Sequence, residues 1–327
     1  MKAIVYREYG SADVLKLEEV PQPTPADNEV LIKIRAAAVN PLDWHLMRGV
    51  PWPLRFFSGL RKPKRTSLGA DMAGDVVTVG AAVANLKPGD GVFGAVDGAF
   101  AEYVCAPASI VALKPLNVTY EQAAAVPIGG LTALQALRDK GNLQAGQNVL
   151  INGASGGVGT FAVQISKWMG AKVTGVCSTR NVDLVRGIGA GRVIDYTRED
   201  FTASGERYDV IFDLVGNRPL ADFRRVLNPK GVFIACGGGG PETPAGDALA
   251  GMIKQLVQGW FTKQRLVGIL AKRDKGDLEI LSQLMTSGDV IPVIDRYYGL
   301  SELPEAIRYL EAGHARGKVV IATPKFS

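Results

Sequence analysis

The sequence predicts an α/β protein with two domains, a β-rich and partly open barrel and a doubly wound parallel sheet. Its 327 residues suffice for two domains at roughly 100–200 residues each. Short apolar runs separated by glycine and proline fill residues 1–115, and the frequent prolines exclude long helices there. From residue 148 onward, β-branched runs alternate with helical patterns, which is typical of a parallel sheet covered on both faces. The predicted domain boundaries are 1–122, 123–272 and 273–327, with the last segment returning to the first domain.

The predicted elements follow in this order along the chain. In the first domain, Val30–Arg35 alternates apolar and polar residues and Ala73–Gly80 is an apolar run with glycines, as expected of strands. Tyr120 opens an alanine-rich helical pattern. An amphipathic helix at 249–260 is predicted to pack on the sheet or over the ligand rather than on a membrane. The second domain is further predicted to contain strands at 149–151, 172–176, 193–194, 210–215, 232–235 and 265–270, and helices at 158–169, from 182, and at 221–227.

Composition and charge exclude several classes of protein. The three cysteines lie far apart and form no CxxC pair, which argues against a disulfide framework and a cysteine-based zinc cluster and favours a reducing compartment. No apolar run reaches the roughly 18 residues of a membrane span, and the amino terminus lacks the apolar core of a signal peptide. The net charge of +5 favours an anionic small ligand or plain solubility over nucleic acid. We therefore expect a cytoplasmic protein with neither a membrane nor a nucleic-acid partner.

One glycine-rich segment predicts a dinucleotide-binding turn. Gly153–Gly159 lies between the apolar run Val149–Ile151 and a long helical pattern. At such a turn, free backbone N–H groups and the positive end of the helix can meet a pyrophosphate, and Gly159 allows the helix to pack closely on its strand. A tight turn without a ligand is the simpler alternative. The residues expected at the phosphates are Ser155, Gly156, Gly157 and Val158.

The end of the next predicted strand indicates which dinucleotide binds. A site for NAD offers an Asp or Glu about 20 residues after the glycines, to accept hydrogen bonds from the ribose 2′-hydroxyl. Here the strand ends in Ser178, Thr179 and Arg180, and the nearest acid, Asp183, lies in the following helix. Hydroxyls and a guanidinium suit a 2′-phosphate, and no group at this strand end is expected to repel it. The sequence therefore predicts NADP(H).

Short motifs along the whole chain point to a family. They are Ala38–Asp43, Gly69–Gly74, Lys87–Val92, Gly153–Gly159, Val193–Tyr196 and Gly317–Val320. In this order and spacing they resemble the zinc-independent medium-chain dehydrogenase/reductases, in the quinone oxidoreductase branch. The resemblance implies a GroES-like catalytic domain built from both ends of the chain, a Rossmann domain between them, and an active site in the cleft that separates the two. It also implies a homodimer that pairs through the strand at 265–270.

The zinc-dependent relatives differ from this chain at the metal positions. They carry a cysteine where this sequence has Asn40 and a His-Glu pair where it has Ala70 and Asp71. They also have a four-cysteine lobe after the segment that corresponds to Gly89–Val92, where this chain runs through Phe93–Gly98 directly into Ala99–Tyr103. The resemblance therefore implies no metal site. Without a metal, hydride is best delivered to a quinone or enone, because its carbonyl oxygen takes up the developing charge. The resemblance accordingly implies NADPH-dependent reduction of quinones or of the double bond of α,β-unsaturated carbonyls, and bulky Pro51–Leu60 suggests a small apolar substrate.

The resemblance also assigns individual residues to the site. Asn40 and Asp43 border the nicotinamide end and are the expected catalytic residues, although Asp43 is also compatible with holding a turn. His45, Asp209 and Asp213 are interpreted as structural, and no proton donor is assigned. The cofactor contacts implied besides the glycine turn are Thr132, Ser178, Arg180, Tyr196, Val215, Gly216, Gly237, His314, Ala315 and Arg316.

Two other functions are compatible with the sequence. A cofactor-binding regulator without enzymatic activity would keep the turn Gly153–Gly159 but show no turnover with quinones or enones. An alcohol dehydrogenase acting without metal would oxidise simple alcohols with NADP. An assay of NADPH consumption over quinones, 2-alkenals and aldehydes distinguishes these alternatives.

Overall fold

The structure is a computed structural model of the chain, and it describes residues 1–203, 205–236 and 263–322. The chain forms two compact units. The first consists of Met1–Leu131 together with the segment that begins at Arg273, and the second is Thr132–Lys272. The helix predicted at 249–260 and the cofactor contact predicted at Gly237 lie outside the described residues.

The described residues contain strands and helices in both units. In chain order the strands are β1 (Lys2–Val5), β2 (Lys16–Glu19), β3 (Glu29–Val39), β4 (Asp71–Val79), β5 (Gly91–Ala95), β6 (Tyr103–Pro107), β7 (Val111–Leu113), β8 (Asn148–Asn152), β9 (Lys172–Cys177), β10 (Arg192–Asp195), β11 (Tyr208–Asp213), β12 (Leu227–Ala235), β13 (Arg265–Gly268), β14 (Ile294–Gly299) and β15 (Lys318–Ala322). The α-helices are α1 (Pro41–Arg48), α2 (Arg55–Ser58), α3 (Tyr120–Ala124), α4 (Pro127–Gln135), α5 (Gly159–Trp168), α6 (Val182–Gly187), α7 (Leu220–Val226), α8 (Lys275–Ser287) and α9 (Leu303–Glu311).

The first unit is built around a seven-stranded sheet in which β3 is central. The strand order is β14-β15-β3-β4-β5-β7, with β6 also paired to β3, and β1 pairs with β2 in a separate ribbon. All pairs are antiparallel except β14 with β15. Because β15 pairs with β3, the end of the chain completes a sheet that its beginning starts. The same core holds Ile32 and Met72 from the first segment and Ile307 and Ile321 from the last.

The second unit contains a six-stranded sheet in the order β10-β9-β8-β11-β12-β13, and every pair is parallel. The central strands β8 and β11 are buried along almost their whole length, as expected when helices cover both faces. Phe201 and Phe223 pack against this sheet in one core cluster with Ile211 and Phe233. The strand and helix pattern predicted for this part of the chain is confirmed, and α5 occupies Gly159–Trp168 where a helix at 158–169 was predicted.

The boundary between the units lies later than the sequence suggested. The prediction ended the first domain at residue 122, whereas the first unit extends to Leu131. Helix α3, capped by a mutual hydrogen-bonded pair of Thr119 and Gln122, packs against β3 and β4. At the start of α4, the Ile128 N–H donates to the Asp71 carboxylate at 2.8 Å. These contacts hold residues 123–131 to the first unit. Because they join segments that are distant in sequence, the local pattern did not place the boundary here.

None of the helices in the described part of the chain is long and apolar enough to cross a membrane.

Candidate active site

The glycine turn between β8 and α5 is sterically tight. Gly153 has a φ of +88°, a backbone conformation that favours glycine. A Cβ atom added to Gly159 would lie 2.1 Å from the Gly153 carbonyl oxygen and 2.8 Å from Ala154. Glycine is therefore required at position 159 for α5 to start this close to the end of β8, as the sequence predicted.

Gly156 differs from Gly159 in what its surroundings demand. A Cβ added to Gly156 would meet its nearest atom, the Gly153 carbonyl oxygen, at 3.5 Å, which is an ordinary contact distance. The packing of the protein itself therefore does not require a glycine at this position. A glycine that packing does not need, at the amino end of a helix, fits a ligand whose phosphates approach the backbone closely.

The turn is tied to the end of the neighbouring strand by Asn181. The buried Asn181 side chain donates from Nδ2 to the Ser155 hydroxyl at 2.9 Å and to the Ser178 hydroxyl at 3.3 Å. Its Oδ1 atom is buried and has no hydrogen-bond partner among the described residues. A buried acceptor without a donor is costly, and a ribose hydroxyl is one group that can satisfy it. Sequence reasoning missed Asn181; its only sequence signal is its position just after Ser178–Arg180.

An acidic residue lies at the same sheet edge, contrary to the expectation from the sequence. Asp195 ends β10 and is aligned with Cys177 at the end of β9. The hydroxyl of Thr179 donates to the Asp195 carboxylate at 2.6 Å, and Thr197 donates to it through its N–H and its hydroxyl. These hydrogen bonds, led by that of Thr179, hold the pKa of Asp195 below its usual range. The prediction that nothing there repels a phosphate was wrong, because Asp195 is distant in sequence and adjacent only through strand pairing.

Beyond β11, one carboxylate shapes the next loop of the edge. Asp213 Oδ1 accepts hydrogen bonds from the Val215 N–H at 3.1 Å, the Gly216 N–H at 3.2 Å and the Asn152 amide at 2.8 Å. Gly216 has a φ of +69°, which fits the sharp turn. The structural role predicted for Asp213 is thereby confirmed: it holds the backbone where the sequence predicts cofactor contacts at Val215 and Gly216.

Nine of the predicted cofactor residues of the second unit share one edge of the sheet. Because β10, β9, β8 and β11 are adjacent and parallel, the loops after them all leave from the carboxyl end of the sheet. In such sheets this end is where ligands bind. Thr132, another predicted cofactor contact of this unit, is instead buried in α4. The predicted residues brought to this edge are Ser155, Gly156, Gly157, Val158, Ser178, Arg180, Tyr196, Val215 and Gly216.

In the first unit, Asn40 and Asp43 form the start of α1. Asn40 is the residue before the helix, and its backbone N–H donates to the Asp43 carboxylate at 2.7 Å. Asp43 is fully buried, and burial raises the pKa of its carboxyl to about 7 against the opposing effect of this hydrogen bond. These contacts hold the first turn of α1, and the catalytic role of the two residues stays a prediction.

The side chain of Asn40 belongs to a buried ionic cluster. Its Nδ2 donates to the Asp71 carboxylate at 2.9 Å, and its Oδ1 accepts a hydrogen bond from the Lys318 ammonium at 2.6 Å. The same ammonium donates to the Asp71 carboxylate at 2.8 Å. Asp71 is fully buried and Lys318 is only 3% exposed. Sequence reasoning missed Lys318, because nothing in the Gly317–Val320 motif shows that its side chain turns inward.

Comparisons with known proteins agree with this architecture. Residues 26–116 match the alcohol dehydrogenase GroES-like domain family, and residues 188–321 match the family described as zinc-binding dehydrogenase. A chloroplastic quinone-oxidoreductase homolog from Spinacia oleracea is 35% identical over 98% of both chains. The solved quinone oxidoreductase from Coxiella burnetii is 32% identical over 99% of both chains, with a TM-score of 0.86. This chain is a zinc-independent medium-chain dehydrogenase/reductase of the quinone oxidoreductase type. The NADPH-dependent alkenal/one oxidoreductase of Arabidopsis thaliana, also named chloroplastic, is 35% identical over 98% of this chain and 79% of that protein.

The metal positions of the zinc-dependent dehydrogenases carry other chemistry in this quinone oxidoreductase-type protein. Two of them hold Asn40 and Asp71, whose side chains bind each other and the Lys318 ammonium. The described part of the chain contains no group of three or more His, Cys, Asp or Glu residues that could hold a metal ion. The Lys318 ammonium therefore pairs with the Asp71 carboxylate at a position where the zinc-dependent relatives carry a metal ligand.

The remaining residues that the sequence singled out, His45 and His314–Arg316, lie in the first unit. His314, Ala315 and Arg316 form the loop between α9 and β15, and the Arg316 N–H donates to Asp295 at 2.9 Å. His45 shares a hydrogen bond of 2.8 Å with the Val50 carbonyl, and burial lowers its pKa. A neutral, hydrogen-bonded imidazole fits the structural role predicted for His45.

Proposed function

We propose that this protein transfers a hydride from NADPH to quinones and to the activated double bond of α,β-unsaturated carbonyls. The observation that carries the proposal is the carboxyl-end edge of the second unit, where the glycine turn, Ser155 and Ser178 are joined through Asn181. The names of two relatives support the substrate class, since one is a quinone-oxidoreductase homolog and the other an NADPH-dependent alkenal/one oxidoreductase. The chain spans nearly the whole length of the first of these.

The residues present fit a bound dinucleotide. The N–H groups of the turn and the amino end of α5 offer donors to a pyrophosphate, and Gly156 leaves room for it to approach. The unpaired Asn181 Oδ1 offers an acceptor to a ribose hydroxyl. When bound, NADPH supplies the hydride. The task of this chain is then to align the carbonyl compound and exclude water, because the substrate itself takes the developing negative charge on its carbonyl oxygen.

We propose NADPH rather than NADH as the preferred cofactor. Ser178 and Arg180 follow the end of β9 and can bind a 2′-phosphate through charge-assisted hydrogen bonds, each worth about 1.5–3 kcal/mol. Asp195 opposes this preference, but its carboxylate is already occupied by Thr179 and Thr197, and Arg198 lies 3.5 Å from it. Because Arg198 offsets part of the charge of Asp195 and the threonines occupy its oxygens, we expect the attraction of Arg180 and Ser178 for the phosphate to prevail.

The test is an assay of NADPH and NADH consumption with quinones, 2-alkenals, aldehydes and simple alcohols. We expect turnover with quinones or 2-alkenals and a dissociation constant for NADPH at least about tenfold below that for NADH, a difference of about 1.4 kcal/mol. Turnover confined to simple alcohols would support the alcohol dehydrogenase alternative instead. No turnover with any of these compounds, despite binding of NADPH, would support a regulator.

Ser178→Asp is expected to erase or invert the preference for NADPH. The new carboxylate would repel the 2′-phosphate and accept hydrogen bonds from the 2′-hydroxyl of NADH. Ser178→Ala is the matched control, because it removes the hydroxyl without adding charge, and it should lower NADPH affinity while preserving the order of the two cofactors. Fluorescence titration measures the dissociation constants of both cofactors for the unmodified protein and the two variants. Equal affinities for both cofactors in the unmodified protein would contradict the assignment of this edge.

We further propose a homodimer that pairs through β13 and acts in the cytoplasm. Among the described residues β13 is the edge strand of the sheet, and Leu270, two residues beyond its end, is 91% exposed. An unpaired strand beside an exposed leucine invites pairing with a second copy across a two-fold axis. Light scattering at micromolar concentration should give about twice 34.7 kDa. Leu270→Arg should shift the mass toward the monomer, whereas Leu116→Arg, at another exposed leucine, should not; a monomeric wild-type protein would exclude this arrangement.

A further inference from the structure

A buried lysine links three strands of the first unit, and no role has been assigned to it. Lys318 is the first residue of β15, and a lysine is rarely buried to this extent unless it is paired. Its ammonium has two acceptors, the amide oxygen of Asn40 and the carboxylate of Asp71. The geometry therefore places the Lys318 side chain against the residue that precedes α1.

The sheet itself brings the three residues together. Strand β3 pairs on one side with β15, where Val39 is aligned with Val319, and on the other side with β4, where Ala38 is aligned with Asp71. Asn40 follows β3 directly, so it lies between the first residues of both neighbouring strands. This arrangement is fixed by antiparallel register on both sides and does not depend on a flexible loop.

Opposite charges hold the two ends of the Asn40 amide. The ammonium of Lys318 binds Oδ1, and the carboxylate of Asp71 binds Nδ2. Charge-assisted hydrogen bonds are shorter and stronger than neutral ones, and both distances, 2.6 and 2.9 Å, fit that class. Turning the amide over would place its NH2 group against the ammonium and its oxygen against the carboxylate. The pair of charges therefore selects one orientation.

The orientation of Asn40 reaches Asp43 through the backbone. The Asn40 N–H donates to the Asp43 carboxylate, and Asp71 in turn accepts the Ile128 N–H with its other oxygen. Asn40 is thus held by its side chain to Asp71 and Lys318 and by its backbone to Asp43, so the cluster ties the first turn of α1 to the sheet. Asn40 and Asp43 are the residues predicted to border the reacting end of the cofactor.

We propose that Lys318 is a positioning residue for hydride transfer, acting by holding the Asn40 amide and the first turn of α1 in one orientation. The proposal rests on the function proposed above. It differs from a purely structural ion pair in one respect: a structural pair could be replaced by two neutral residues without loss of activity, because replacing a buried ion pair as a whole is often tolerated. A positioning residue could not be replaced in this way.

The experiment compares Lys318→Met, the double variant Lys318→Met with Asp71→Asn, and Lys230→Met. The single variant leaves the Asp71 carboxylate buried without its ion-pair partner and is expected to lower the melting temperature. The double variant removes both charges, keeps an acceptor for the Ile128 N–H, and is expected to melt close to wild type. Lys230→Met is the control for the substitution itself, since Lys230 is exposed in the second unit.

In the double variant we expect kcat to fall at least about 30-fold, with the dissociation constant for NADPH within twofold of wild type. The loss lies in kcat because the orientation of Asn40 is disturbed while the glycine turn of the second unit is intact. Recovery of both stability and kcat in the double variant would overturn the proposal and leave Lys318 a structural counter-ion. Loss of NADPH binding together with kcat would overturn it as well.

Crystal structures separate this proposal from the proposed function. In the double variant we expect the Asn40 side chain either to turn its amide over, so that Oδ1 and Nδ2 exchange hydrogen-bond partners, or to move by more than about 1 Å, whether or not any substrate is turned over. If the wild-type protein reduces none of the quinones and enones, the proposed function fails and the Asn40 displacement still decides whether Lys318 positions it. An Asn40 that keeps both its place and its amide orientation in a well-folded double variant would overturn the positioning role by itself.

Discussion

Gly159→Ala is expected to lower NADPH affinity at least about 100-fold, or about 2.8 kcal/mol, and to destabilise the fold as well. The new Cβ would lie 2.1 Å from the Gly153 carbonyl oxygen and 2.8 Å from Ala154, and these backbone atoms cannot rotate away. The start of α5 has to move away from β8, which displaces the N–H groups that would face the pyrophosphate. Overpacking of this kind typically costs about 1–3 kcal/mol of the free energy of unfolding. Fluorescence titration and urea denaturation measure the two effects.

Two further glycines separate steric from ligand-dependent effects. Gly156→Ala meets only an ordinary contact at 3.5 Å, so we expect normal stability but weaker NADPH binding, because the methyl group occupies space needed by the phosphates. Gly187→Ala meets no atom within 4 Å, so we expect it to lower neither the stability nor the NADPH affinity. If Gly159→Ala bound NADPH as tightly as Gly187→Ala, the assignment of the turn to the pyrophosphate would be refuted.

Asp43→Asn is expected to make the protein more stable than wild type at pH 8 but not near pH 4. The pKa of the buried Asp43 is about 7 in the folded protein, whereas the unfolded chain releases this proton near its ordinary value of 3.8. Between these values the folded state binds more protons than the unfolded state, so the free energy of unfolding falls as the pH rises. At 1.36 kcal/mol for each pH unit, the loss approaches about 4 kcal/mol above pH 7. Asparagine does not titrate and can still accept the Asn40 N–H.

The difference between the two proteins, measured by urea denaturation at several pH values, isolates Asp43 from other titrating groups. His45 acts in the opposite direction in part of this range, because burial lowers its pKa and rising pH through the unfolded value of 6.5 favours the folded state. This contribution is common to wild type and variant and cancels in the difference. A difference that stays constant from pH 4 to pH 8 would mean that Asp43 is ionised throughout in the folded protein.

Local features were predictable from the sequence, and contacts between distant segments were not. The turn Gly153–Gly159 and the strands around it follow from glycine spacing and β-branched runs, which are local in the chain. The Asp195 carboxylate reaches the end of β9 only because β10 pairs with that strand in parallel. A reader of the sequence alone sees Thr179 as a free hydroxyl, whereas the structure shows it donating to Asp195.

The first unit illustrates the same limit at its buried cluster. Asn40 could be singled out through its motif, but its partners Asp71 and Lys318 lie 31 and 278 residues further along the chain. Neither a lysine nor an aspartate shows in a sequence whether it is buried. Only the register of β3 with both β4 and β15 places the three side chains within hydrogen-bonding distance.

The position of β15 has a consequence for how the chain is made. This buried strand pairs with both β3 and β14, and its residues leave the ribosome after those of every other described strand. Domains usually fold in the order of their synthesis, amino-terminal first. Here residues Ala36–Val39 of β3 lack their partner strand β15 until Ala322 has been made, and by then every described strand of the second unit has emerged. The unit that starts first is thus completed only after the second unit.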